Sequence, residues 1–130
     1  MGTRFVGTVE CDASPKFKEA YLKCKPEDII IIDSPVGLPG RAISNEFLSR
    51  VAAGIREDFA CPWKCLRTCE FSKVPYCIAL ALTHAQNGRL EKGFAFAGTN
   101  AYRVKKIVTV KELMNQLAQE YAACQTKCCT

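Results

Sequence analysis

Apolar positions fall in short blocks, and the spacing inside each block predicts its element. Four consecutive isoleucines, Ile29–Ile32, stand between Asp28 and Asp33 and predict a buried strand. The run Arg4–Val9 (RFVGTV) reads as a second, shorter strand. Ser14 followed by Pro15 is a helix cap plus a proline at the first helical position. It opens a helix to about Cys24 with Phe17, Tyr21 and Leu22 on its apolar face. Ser34–Gly40, with two prolines and two glycines, reads as a loop. Ser44 or Asn45 can cap a helix to about Ile55 that turns Phe47, Leu48 and Val51 inward.

Farther on, Tyr76–Asn87 is a strongly apolar helical stretch that Gly88 should stop, and Gly93–Gly98 is a glycine-bounded loop or short extended piece. Thr109 with Glu112 three residues later forms a capping box for a last helix, with Val110, Leu113, Leu117 and Tyr121 on one face. The expected order is strand, helix, strand, then helices, in one unit over 1–130. Two strands rarely make an independently stable sheet. These two therefore want partners, which first suggests a piece of something larger.

Composition narrows the class. Lys plus Arg is 18 and Asp plus Glu 13, so the formal charge is 18 − 13 = +5. The basic residues are interleaved with acids (Lys16, Lys18, Lys23 and Lys25 among Glu19 and Glu27), and Lys105–Lys106 is the tightest pair. No stripe follows a phosphate backbone, so a nucleic-acid partner is not expected. No apolar run approaches the ~18 residues of a membrane span. No basic-then-apolar leader opens the chain, so a cytoplasmic location and no membrane partner are expected.

Nine cysteines form an odd set, which together with the missing leader favours free or metal-bound thiols in a reducing compartment. Cys61, Cys65 and Cys69 are four apart, as on one face of a helix that Pro62 would start, and Cys77 follows beyond Pro75. Three thiols on a straight helix would span about 12 Å, too far for one tetrahedral ion. Buried small side chains on a helix face are one reading of this group; a zinc ion or a cluster held where the prolines bend the path is the other. The tail Cys124, Cys128 and Cys129 reads as a frayed end.

The opening Met1-Gly2-Thr3-Arg4-Phe5-Val6-Gly7-Thr8-Val9-Glu10-Cys11, the loop SPVGLPGRA at 34–42 and the segment GFAFAGTNAYR at 93–103 closely resemble, in this order, the nitronate monooxygenases. These were formerly called 2-nitropropane dioxygenases and are related to the type II enoyl-acyl carrier protein reductases. The resemblance reaches to about Tyr121 and implies an α/β fold, a C-terminal fragment of an FMN-dependent TIM (β/α)8 barrel. A complete barrel needs ~200 residues or more, so Met1 would be an internal methionine of the parent.

By resemblance Met1, Gly2 and Thr3 hold the FMN phosphate. A glycine that lets the backbone approach, two amides and a hydroxyl suit that task. Taken alone, the same residues would serve equally as the start of a strand. The two later motifs would lie near the flavin, where Arg41 and Arg103 could meet an anionic group or simply form surface ion pairs. The family's catalytic histidine belongs to an earlier barrel segment, so no catalytic residue is expected here. His84, the chain's one histidine, is given no such role.

The implied activity is flavin-mediated oxidation of a small nitronate by dioxygen, with this chain inactive alone and prone to self-association. Alternatives are an enoyl-acyl carrier protein reductase fragment and a free-standing cysteine-rich metal-binding interaction module.

Overall fold

The computed structural model describes residues 2–61, 64, 65, 67, 69, 70 and 72–128. Among the described residues five α-helices and a hairpin, α1 Gly2–Val6, α2 Pro15–Lys23, β1 Ile29–Asp33, β2 Pro39–Ile43, α3 Glu46–Ala52, α4 Ile78–Gln86 and α5 Val110–Cys128, are joined by short 3-10 turns at Pro26–Asp28, Leu90–Lys92 and Ala101–Arg103. The caps fall where the sequence puts them. The Ser14 hydroxyl accepts from the Phe17 amide at 3.2 Å, and the Asn45 carbonyl oxygen accepts from Leu48 at 3.0 Å. The Thr109 hydroxyl accepts from Glu112 at 3.2 Å, while the Glu112 carboxylate accepts from the Thr109 amide at 2.8 Å. Helix α4 stops at Asn87, and Gly88 follows with φ +83°.

β1 and β2 pair antiparallel, with Ile30 opposite Ala42 and Ile29 opposite Ile43. Alternation divides their side chains between two clusters. Ile29 and Ile43 join Tyr21, Cys24, Ala95, Ala97 and Ala101. Ile30, Ile32 and Ala42 join Phe47, Leu48, Tyr76, Ala81 and Phe94. Residues 95–97 run along the other edge of β2: Ile43 donates to the Ala95 carbonyl at 3.0 Å and Ala97 to the Arg41 carbonyl at 2.9 Å. The Tyr21 hydroxyl donates to the Phe96 carbonyl at 2.6 Å, and burial pushes that phenol up to about 12.

Four expectations are corrected. Residues 2–6 are helix rather than strand, and only Thr8 keeps a bridge, parallel to Val108. Packing overrides the β-propensity of Phe5 and Val6: Val6 packs on the Tyr21 cluster, and the Thr8 hydroxyl closes the turn on the Phe5 carbonyl at 2.7 Å. The isoleucine strand is only partly covered, with Ile31 61% exposed. The loop after it is shorter than expected, because Pro39 and Gly40 belong to β2; Pro39 sits at the strand's first position, where no ladder donor is needed. The last helix continues to Cys128 instead of fraying.

Candidate functional site

The first turn of α1 meets the segment 98–104 at one end of the molecule. The Thr3 hydroxyl accepts a hydrogen bond from the Gly98 amide at 2.9 Å. A Cβ at Gly98 would stand 3.2 Å from that hydroxyl, tight enough that the hydroxyl would have to give by a few tenths of an ångström. Having accepted from Gly98, the hydroxyl keeps its own proton to donate. The first amides of a helix have no acceptor within it, and a Cβ built on Gly2 would meet only open space.

Beside this junction lies a cavity of about 420 Å³ bounded by Thr3, Arg4, Gly98, Thr99, Asn100 and Arg103, among others. Arg4 and Arg103 also border an adjoining cavity of about 140 Å³ together with Lys105 and Lys106. Arg103 is exposed. Its guanidinium lies 5.7 Å from the Tyr102 ring centre, and its Nε donates to the Tyr102 hydroxyl at 3.3 Å. Arg4 has one acidic neighbour, Glu120, at 3.9 Å. Four cations line these two hollows, with Glu120 at 3.9 Å from Arg4 and Glu112 within the field of Lys106, and the balance makes this end a place for an anion.

Of the three residues expected at a phosphate, Gly2 and Thr3 stand here and Met1 lies outside the described residues. Arg103 joins them and Arg41 does not: it is exposed on β2, opposite Ile31. Arg4 was missed because a strand over 4–9 would send it elsewhere, whereas one helical turn returns it to the Thr3 cavity. His84 is half-buried on α4 and borders a separate cavity of about 500 Å³ with Arg50, Glu57, Asp58 and Lys92.

The cysteine segment departs from its expected helix. Among its described residues Cys61, Lys64, Cys65, Arg67 and Cys69 none is helical; Pro62, expected to start that helix, lies outside them. Lys64 has φ +45°, which no helix continues through. No helix among the described residues is long and apolar enough to cross a membrane.

Comparison with known proteins adds three findings. A family model described as nitronate monooxygenase matches residues 1–120. Among solved structures, FabK from Thermotoga maritima superposes with a TM-score of 0.73 at 24% identity, covering 98% of this chain and 37% of that one. A mutant of the same protein gives 0.71 at 24% identity, covering 98% and 34%. Among curated proteins none matches significantly. The chain thus carries the fold of part of a TIM-barrel protein and spans about a third of those solved chains.

Proposed function

The chain belongs to the nitronate monooxygenase family, and on that premise we propose that it supplies the phosphate end of the FMN site of a flavin-dependent oxidoreductase that oxidises small nitronates with dioxygen. The observation that carries the reading is the Thr3–Gly98 contact at 2.9 Å, which joins two separately matching motifs beside Arg4 and Arg103.

The residues present fit a phosphate monoester. The amides of Gly2 and Thr3 point where a helix attracts anions. The Thr3 hydroxyl donates its free proton, and Arg103 and Arg4 balance the charge with guanidinium forks. When bound, FMN supplies the two-electron chemistry, and the protein's part is to seat and orient it. We assign no substrate base among the described residues at this end.

Flavin binding to the protein tests this directly. FMN should bind about tenfold or more tightly than riboflavin, which lacks the phosphate, because a hydrogen bond to a charged group is worth about 1.5–3 kcal/mol. Arg103→Ala and Thr3→Val should each shrink that gap, and Thr3→Ser should restore it. A gap that neither substitution changes would sink the phosphate assignment. Dioxygen uptake with a nitronate alone distinguishes the nitronate reading from the enoyl reductase one, which would instead consume a reduced nicotinamide with an enoyl thioester.

A further inference from the structure

We propose that Cys61, Cys65, Cys69 and Cys77 are the four thiolate ligands of an iron–sulfur cluster. The assignment goes beyond the flavin reading and does not rest on it. The four cysteines come from both ends of a stretch that has no helix or strand among its described residues, yet all four border one cavity of about 230 Å³. Its other walls are largely apolar, Phe59 and Ile78 among them, with Lys64 the one cationic member.

Two features point to a cluster rather than to idle thiols. First, Lys64 holds a left-handed backbone at φ +45° between Cys61 and Cys65. Such a residue persists where surrounding structure over-determines it, and Lys64 borders the same hollow as Cys61 and Cys65. Second, Cys77 is the cap residue of α4, so the positive end of a nine-residue helix faces a site that would carry net negative charge.

The size of the site selects the occupant. Thiolates around one tetrahedral zinc are drawn together by bonds of about 2.3 Å. Among the described residues no group of three or more His, Cys, Asp or Glu is placed to hold a metal ion as it stands, so an occupant would have to draw the thiolates inward. A cluster takes one thiolate at each of several separate irons. It tolerates wider separation and needs room, and 230 Å³ is several times the ~30 Å³ a water occupies in the liquid.

The test is the protein purified without oxygen, with iron and acid-labile sulfide counted per chain and a paramagnetic resonance spectrum taken after dithionite reduction. Iron and sulfide in equal amounts, with a signal that fully reduced flavin does not give, are expected. Cys65→Ser and Cys69→Ser should each lower bound iron several-fold, while Cys124→Ser on α5 should leave it unchanged. Far-UV dichroism shows that each variant is folded. The proposal is overturned by a folded protein that takes up no iron and sulfide even on anaerobic reconstitution with ferrous salt and sulfide. It is overturned equally by stoichiometric zinc in their place, or by iron that survives Cys65→Ser and Cys69→Ser combined in one chain. Flavin released on denaturation is measured separately, so loss of the cluster and failure of the FMN reading are distinguishable.

Discussion

The body around the hairpin and the stretch 53–75 between α3 and α4 are held by different means. In the body, the Phe47, Tyr76 and Phe94 rings pack edge to face or stacked, with centres 5.2–6.1 Å apart. Phe94 is fully buried, and both hairpin strands place side chains against that cluster. Among the described residues of the stretch the ties are mostly polar: Glu57 donates to the Pro75 carbonyl at 2.9 Å, Arg56 donates to the Ser72 carbonyl at 2.5 Å, and Arg50 binds Glu57. Segments this long without regular structure are usually functional or disordered. The difference teaches that apolar packing secures the body, whereas the stretch needs a local fastener, which the four cysteines would provide.

The strongest way to break the contrast is to remove the ring at the body's centre. Phe94→Ala should cost about 3–5 kcal/mol, since the ring touches Phe47, Tyr76 and Phe96 and no neighbour can collapse into all three contacts. Chemical denaturation should show the midpoint falling with an unchanged slope. A loss under ~1 kcal/mol would mean that the body is not packing-dominated.

Arg50 joins the two regions and gives the next largest effect. Its Nη2 donates to Glu57 Oε1 at 2.7 Å and to the Glu91 carbonyl at 2.7 Å, with its Nε on the same carboxylate at 3.0 Å. Both partners are 29% exposed, so the pair exceeds a surface bridge without being a buried one. Arg50→Ala should cost about 1–2 kcal/mol. The change should appear chiefly as faster amide exchange and protease cleavage near Glu57, with Phe94 protection retained. Equal loosening of both regions would show that they fold as one unit.

The same contrast governs what was legible in the sequence. Caps and stops are local chemistry, so Ser14, Asn45, Gly88 and the Thr109–Glu112 box were all readable. Elements set by distant contacts were not. Val6 packs on Tyr21 and Thr8 pairs with Val108, and no local pattern announces either, so α1 was read as a strand. The strand Pro39–Ile43 was hidden by its proline and glycine and is completed only by residues 95–97. The meeting of Thr3 with Gly98 was implied by two family motifs but by no spacing. The even spacing of Cys61, Cys65 and Cys69 suggested a helix that Lys64 interrupts.

The smallest effect lies at the outer edge of the body, where one charge fastens a helix. Hydrogen bonds from the Thr109 amide and hydroxyl hold the Glu112 carboxyl below its ordinary value of 4.5, with Lys106 adding a weaker pull. A carboxyl whose folded value is depressed binds fewer protons than its unfolded counterpart. Its contribution is therefore complete above the ordinary value and fades as pH falls through the lower folded one. Helicity of α5, followed by far-UV dichroism, should hold down to about the ordinary carboxylate range and then decline. In Glu112→Gln that acid step should be absent, because the amide fills the same box without titrating. A Glu112→Gln protein that still loses α5 over the same acid range would place the titrating fastener elsewhere.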